Sequence, residues 1–389
     1  MASDPRTLSI LGATGSIGVN TLDVVRHMGG RDAFEIVALT GSANVHLLAK
    51  QAIEHGVQIA VTADESQYSA LKEALSGTGI NAAAGRQALI DAAAIPADIT
   101  MAAIVGTAGL EPTLAAVKNG GMIALANKEC LVAGGELFMD AVKAAGATLL
   151  PVDSEHNAIF QVLDGEDRSS LERVVLTASG GPFRTWPLEK MANVTVAAAR
   201  AHPNWSMGLK ISIDSASMFN KALEMIEAKH LFALKPKQVE VIVHPQSIVH
   251  SMVAYHDGSI LAQLGPSDMR VAIGYALNHP ERGHLPVERL DFAKLSRLDF
   301  EAPDEARFPA LRLARQAMEQ GGLSGAVLNA AKEVALEAFI AGRLPFLRMA
   351  EVVEKVMESM NTGSALDLAS ILEADTGARR NATEIIAKP

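Results

Sequence analysis

The residues best placed to do chemistry lie in Pro151-Val152-Asp153-Ser154-Glu155-His156-Asn157. An apolar run, Ala147-Thr148-Leu149-Leu150, leads straight into two carboxylates at i and i+2. Alternate residues of an extended chain share a face, so Asp153 and Glu155 are expected to point the same way at the exit of a strand. Like charges held that close repel unless a proton or a cation sits between them. A hard divalent cation such as Mg²⁺ or Mn²⁺ takes carboxylate oxygens and keeps positions open for substrate. A solvated acidic turn has the same composition.

A second cluster runs from Lys210 to Glu224. A helix starting near Ser217 would put Ser215 near its cap and Asn220 and Lys221 one turn before Glu224. Ser, Asn and Lys at a helix N-terminus make a phosphate seat, and Glu224 could supply a third carboxylate to the ion. An ordinary amphipathic helix with a Lys–Glu pair is the bland alternative. Upstream, Thr177-Ala178-Ser179-Gly180-Gly181-Pro182 reads as a strand and a permissive turn that presents Ser179 to an anion. Ala201-His202-Pro203-Asn204-Trp205-Ser206-Met207-Gly208 carries one of two tryptophans and has the composition of a lid, or of a surface loop with its Trp packed down.

These residues need elements to hold them. Leu8-Ser9-Ile10-Leu11-Gly12-Ala13-Thr14-Gly15-Ser16-Ile17-Gly18 is a strand, a glycine turn and a helix start, the local pattern that seats a pyrophosphate. The second strand, Phe34–Thr40, ends without an acidic residue and continues into Gly41-Ser42-Ala43-Asn44. Neutral donors there favour NADP over NAD. Strands are expected at Thr7–Leu11, Phe34–Thr40, Gln58–Val61, Ile99–Val105, Met122–Ala126 and Ala147–Leu150. Helices are expected at Ile17–Met28, Val45–His55 and Gln67–Leu75. Such alternation predicts a doubly wound α/β domain over residues 1–150. Residues 151–282 read as a catalytic α+β domain with an antiparallel sheet and a hairpin at Asp257-Gly258. A Pro-containing linker is expected over 283–304. Helices at Glu305–Gln320, Gly325–Ala341, Pro345–Met360 and Leu366–Glu373 predict a C-terminal bundle over 305–389.

With 389 residues the chain is too long for one core, and a net charge of −10 disfavours nucleic acid and anionic membrane as partners. No run reaches about 18 apolar residues, so no spanning helix is expected. The N-terminus lacks signal-peptide character, and the one cysteine, Cys130, excludes an internal disulfide. A cytoplasmic enzyme is the expectation.

Asp153-Ser154-Glu155-His156-Asn157, Ala126-Asn127-Lys128-Glu129, the His202–Gly208 motif, and Asp214-Ser215 with Asn220-Lys221-x-x-Glu224 occur together, in order. With the Gly12–Gly18 loop, the chain resembles the 1-deoxy-D-xylulose 5-phosphate reductoisomerase family from end to end. The resemblance implies NADPH, a divalent cation (Mg²⁺, Mn²⁺ or Co²⁺), a sugar phosphate substrate and a homodimer. It implies metal ligation by Asp153, Glu155 and Glu224. It implies phosphate binding by Ser179, Ser215, Asn220 and Lys221, and substrate contact by Lys128, Ser154 and His202. Thr14, Gly15, Ser16, Ile17, Asn44, Asn127, Glu129 and Gly208 would contact NADPH, with Trp205 and Met207 in a flexible lid. Ser42-Ala43-Asn44 stands where the family often has Gly-Lys-Asn; without that lysine the NADP preference would either weaken or rest on Ser42 and Asn44. Lys128 would stabilise developing negative charge, and His202 is a candidate for proton transfer. Two other readings are a semialdehyde-type dehydrogenase using Cys130 as nucleophile and a non-enzymatic NADP-binding scaffold.

Overall fold

The alternation in the first 151 residues resolves, in a computed structural model, into seven short parallel strands. The structure describes residues 4–205, 207–360, 362–363 and 367–388. The strands are β1 (Arg6–Leu11), β2 (Phe34–Gly41), β3 (Ile59–Thr62), β4 (Asn81–Ala84), β5 (Ile99–Ala102), β6 (Met122–Leu125) and β7 (Thr148–Pro151). They lie in the order β4-β3-β2-β1-β5-β6-β7, each pair parallel. β1 is flanked by β2 on one side and β5 on the other, so the winding direction reverses at its C-terminal end. Ligands of such sheets bind at that crevice. The central strands are buried on both faces and carry continuous apolar runs, as in Ile36-Val37-Ala38-Leu39 of β2.

Some elements fall where the periodicity was weak. β4 is Asn-Ala-Ala-Ala, a half-exposed edge strand with no β-branched residue to mark it. The helices Arg86–Ala93, Leu110–Val117 and Glu129–Ala145 lie outside the expected set. The last of these is broken at Gly134 (φ −125°, ψ 26°).

The chain forms two compact units. One comprises 1–130, 138–157 and 268–288; the other comprises 131–137, 158–267 and 289–389. The chain returns to the first unit as the helix Met269–Asn278, whose Arg270 bonds Asp268 at 2.7 Å and Asp23 at 3.2 Å. Arg6 donates to Leu277 O at 2.7 Å in the same unit. Side-chain contacts between segments more than 200 residues apart leave no local trace in composition.

The second unit holds β8 (Leu171–Ala178), β9 (Val239–Val243), β10 (Val249–Tyr255) and β11 (Ile260–Leu264), in the order β11-β10-β8-β9. The sheet is mixed rather than antiparallel. β8 and β9 are parallel because a helical crossover joins them, whereas β10 and β11 form the expected hairpin. Its turn closes with Gly258 N–H on Tyr255 O at 3.0 Å and Ser259 N–H on the Asp257 carboxylate at 2.8 Å. Gly258 takes φ +88°, which suits glycine.

The helices Ala310–Gln320, Ser324–Ile340, Arg348–Ser359 and Leu368–Ala387 follow. Their buried faces (Leu311, Ala314, Val327, Ala331, Val353) belong to one core with Leu223 and Ile226 of the helix Phe219–Leu231 and Val174 and Leu176 of β8. They therefore share a core with the sheet. The expected helix Leu366–Glu373 begins at Leu368 (Leu366 lies outside the described residues) and runs on to Ala387. Ile371, Ala374, Ala378 and Ala382 recur every three or four residues and are buried, so packing sustains a Gly- and Thr-containing stretch of modest propensity. Within the expected linker lies the short helix Phe292–Leu295, and Glu301 bridges to Val243.

Candidate active site

The glycine loop follows β1. Gly12 takes φ +93°, and a Cβ there would lie 2.5 Å from Ala103 O; a Cβ on Gly18 would lie 2.4 Å from Ala13 Cα. Both positions require glycine for close backbone approach, while Gly15 and Ser16 are exposed at the loop's crest. The loop is anchored from below. Gly12 N–H donates to Thr40 Oγ1 at 2.9 Å, and buried Gln51 donates to Ala13 O at 3.0 Å. The helix Ser16–His27 has no side-chain cap, so its first N–H groups suit an anionic ligand. The expected cofactor positions Thr14, Gly15, Ser16 and Ile17 all lie in this turn. Ser42 and Asn44 follow β2, and both are exposed. The Asn44 carboxamide oxygen caps the helix Val45–His55 by accepting from Leu47 N–H at 3.2 Å.

Asn127 is buried, and its side chain serves the backbone. It accepts from Cys130 N–H at 2.7 Å and donates to Gly106 O at 3.0 Å and to Ile104 O. It thereby ties the loop after β5 to the loop after β6 and caps the helix that begins at Glu129. Cys130 is fully buried, so nothing favours a thiol nucleophile there.

Asp153 and Glu155 do not sit on an extended strand. β7 stops at Pro151, and Asp153 caps the helix Ser154–Leu163: its Oδ1 accepts from Glu155 N–H at 3.0 Å and His156 N–H at 3.3 Å. The capping register overrides the strand's period of two, because a carboxylate before a helix satisfies otherwise orphaned donors. Asp153 Oδ2 is ion-paired with Lys128, and Ser154 Oγ donates to Glu155 Oε2 at 2.7 Å.

In the second unit, Ser179 follows β8 into a turn with Gly180 at φ +80° and Gly181 at φ +65°. His202 Nε2 lies 2.9 Å from Ser179 Oγ, which also accepts from Gly181 N–H at 3.1 Å. His202 Nδ1 accepts from the backbone N–H of Asn204 at 3.2 Å and of Trp205 at 3.0 Å. The ring proton therefore resides on Nε2 and points at Ser179. With its oxygen accepting from two N–H groups, Ser179 has its own O–H to donate onward. Burial pulls the His202 imidazole down to about 4, so the ring is neutral at neutral pH. The Asn204 amide donates to Pro245 O at 2.5 Å and Ser247 Oγ at 2.9 Å, fixing the base of the segment that carries Trp205 and Met207. Ser206 lies outside the described residues, and Gly208 is the exposed N-cap of the helix Leu209–Ala216.

Ser215 ends that helix rather than capping the next. The chain turns at Met218 (φ +64°) into Phe219–Leu231, which has no side-chain cap. Asn220 and Lys221 occupy the first turn of this second helix. Asn220 donates to Glu224 Oε1 at 2.5 Å, and Lys221 is ion-paired with Glu224 Oε2. A Cβ on Gly181 would lie 3.0 Å from Ser215 O, so the Ser179 turn is seated directly against Ser215. Ser179, His202, Ser215, Asn220 and Lys221 thus belong to one unit, around an uncapped helix start. Asp153 and Glu155 belong to the first unit and Glu224 to the second, where Glu224 is fully buried. Thr40, Gln51 and the buried Asp214–Lys332 pair escaped the sequence reading, since each acts through a partner remote in sequence.

The fold and its glycine loop define an α/β protein of the dinucleotide-binding type. Profiles described as 1-deoxy-D-xylulose 5-phosphate reductoisomerase, its C-terminal domain, and the DXP reductoisomerase C-terminal domain match residues 8–135, 149–232 and 264–381. The chain belongs to the 1-deoxy-D-xylulose 5-phosphate reductoisomerase family. Curated family members from Rhizobium rhizogenes and Rhizobium meliloti are 65% and 66% identical to it, each over 98% of this chain and 97% and 98% of theirs. The Zymomonas mobilis reductoisomerase in complex with NADPH superposes with a TM-score of 0.93 at 50% identity, covering 99% of this chain and 100% of that one. A DOX-P reductoisomerase complexed with NADPH, fosmidomycin and magnesium gives 0.93 at 42% identity, covering 98% of each chain.

Proposed function

We propose that this chain is an NADPH- and divalent-metal-dependent reductoisomerase. It converts 1-deoxy-D-xylulose 5-phosphate to 2-C-methyl-D-erythritol 4-phosphate in the non-mevalonate isoprenoid pathway. The observation that carries the reading is 66% identity to a curated reductoisomerase over 98% of both chains.

Asp153, Glu155 and Glu224 are assigned to the cation. The donor set fits a hard ion, being all carboxylate, with negative charge now answered by Lys128 and Lys221. A divalent cation held there would polarise a ketone oxygen and its neighbouring hydroxyl. NADPH, which supplies the hydride, is assigned to the Thr14–Ile17 turn, Ser42, Asn44, Asn127, Glu129 and Gly208. The chain's own groups do the rest. Lys128 stabilises negative charge as it develops. The Ser179 hydroxyl, held by neutral His202, donates to a phosphate oxygen, and Ser215, Asn220 and Lys221 complete the seat. Anchoring the phosphate orients the remote reacting carbons. Ser154 and His202 are assigned to the substrate's carbon backbone. The segment 201–208, with Trp205 and Met207, is assigned the closing motion that excludes water.

The active species is proposed to be a homodimer. β11 is one of the two edge strands of its sheet, and its Ile260, Leu261 and Ala262 are exposed in succession. Such an edge invites pairing with a second copy. Among the described residues no helix is long and apolar enough to cross a membrane. A cytoplasmic location is part of the same proposal. The test is NADPH absorbance. 1-Deoxy-D-xylulose 5-phosphate should cause oxidation that EDTA abolishes and Mg²⁺ or Mn²⁺ restores; no substrate-dependent oxidation with either metal would overturn the assignment.

A further inference from the structure

The helix Leu209–Ala216 carries Ser215 at its end, and its neighbour in sequence, Asp214, points into the protein. Asp214 is 6% exposed and Lys332 is 3% exposed, with Lys332 Nζ 3.0 Å from Asp214 Oδ2. Lys332 belongs to the helix Ser324–Ile340, so the pair joins two helices of one unit. The other carboxylate oxygen, Oδ1, has no hydrogen-bond partner among the described residues. The Asp214 side chain is therefore held through Lys332. A second link, Lys210 to Glu337 at 2.8 Å, joins the same helices, but its side chains are 56% and 54% exposed. Exposed pairs contribute little; the buried one governs.

A buried ion pair is a poor device for stability, because desolvating two charges offsets their attraction, and an apolar pair of similar volume often does as well. It is a good device for geometry, since it is satisfied at one separation and one rotation of the helix. Consecutive helical residues lie about 100° apart, so a turn of the helix that misplaced Asp214 would also swing Ser215. The Ser179 turn would feel the same change, because Gly181 is seated against Ser215 and Ala216. At the helix end, Ser217 Oγ donates to Ile213 O at 2.9 Å and Asp214 O at 3.2 Å, so the corner before Asn220 and Lys221 moves with it.

We infer that the Asp214–Lys332 pair positions the phosphate seat, setting where the Ser215 hydroxyl and the Ser179 turn stand to receive the substrate's phosphate. Asp214 and Lys332 touch no substrate; they are positioning residues. The inference rests on the seat assigned above, so the experiment carries its own control. Steady-state kinetics on the full-length enzyme would compare wild type, Lys332→Met, the double variant Asp214→Asn/Lys332→Gln, and Lys221→Ala. Each would be checked for folding by circular dichroism melting. Lys332→Met is expected to raise KM for the sugar phosphate by about tenfold and weaken competitive inhibition by inorganic phosphate in parallel. KM for NADPH should stay within about twofold. The double variant, which restores a hydrogen-bonded pair without charge, should recover most of the lost affinity. A purely structural role would move both KM values and the melting temperature together. If Lys332→Met does not fold, Lys332→Arg, which keeps the charge and changes the reach, takes its place with the same readouts. A folded variant with wild-type KM for the sugar phosphate and wild-type phosphate inhibition overturns the inference, provided Lys221→Ala raises that KM. If Lys221→Ala leaves KM unchanged as well, the seat itself is misassigned, and the inference falls with it.

Discussion

His202 shows how a single residue's surroundings decide what it can do. Its Nδ1 accepts two backbone N–H groups and its Nε2–H faces Ser179. Burial pulls its pKa down to about 4, so it acts as a neutral hydrogen-bond donor rather than as a cation. The sign follows. A histidine whose folded pKa lies below its ordinary 6.5 contributes stability that is present above pH 6.5 and lost as pH falls toward about 4. An NMR titration of the His202 ring should show a midpoint near 4, and a midpoint near 6.5 would contradict the hydrogen-bond assignment. Glu224 makes the opposite case. It is fully buried against Lys221 and Asn220, and it is one of the three carboxylates assigned to the cation. Glu224→Gln removes a charged ligand and should lower turnover by about 100-fold while NADPH affinity, measured by fluorescence quenching, is retained. Near-normal turnover at saturating Mg²⁺ would remove Glu224 from the metal set. Its candidacy was legible from Asn220-Lys221-x-x-Glu224, but the number of its partners was not, because burial is a tertiary property.

At the scale of elements, the glycine loop was legible because it is local: strand, turn and helix start are contiguous in sequence. Which glycines matter was not. Gly12 and Gly18 face backbone atoms at 2.5 and 2.4 Å from any added Cβ, whereas Gly15 meets only Gly12 O at 3.4 Å. Gly18→Ala should therefore cost on the order of 1–3 kcal/mol in unfolding free energy and weaken NADPH binding. Gly15→Ala should leave the melting temperature nearly unchanged. Equal melting temperatures for the two variants would show that the loop relaxes freely. Asp153-Ser154-Glu155 is the instructive miss. The i, i+2 spacing reads as one face of a strand, yet the segment is a helix start with Asp153 as its cap. Either geometry keeps the two carboxylates close in the chain, so their assignment to a cation does not depend on the strand. The same short-range ambiguity moved Ser215 from a presumed cap to the last turn of the preceding helix.

At the scale of the whole molecule, the free edge of β11 bears the most direct consequence for assembly. Leu261→Lys puts a charge on that edge, where natural proteins use lysine to block pairing. Sedimentation velocity should show wild type as a dimer and the variant as a monomer at micromolar concentration. A variant that sediments as wild type does would place the contact elsewhere. Met269–Asn278 returns to the first unit, and β8, the helix Phe219–Leu231 and the C-terminal helices share a single core.

The sequence alone determined the parallel α/β unit, the hairpin, the C-terminal helices and the candidate residues. Each is written in contiguous residues through periodicity, turn chemistry and motif. Only the tertiary structure decided the mixed sheet, the two-unit partition, the tautomer and neutral state of His202, and the Asp214–Lys332 pair. These depend on which distant segments exclude water from one another, and burial of that kind has no signature within a window of neighbouring residues.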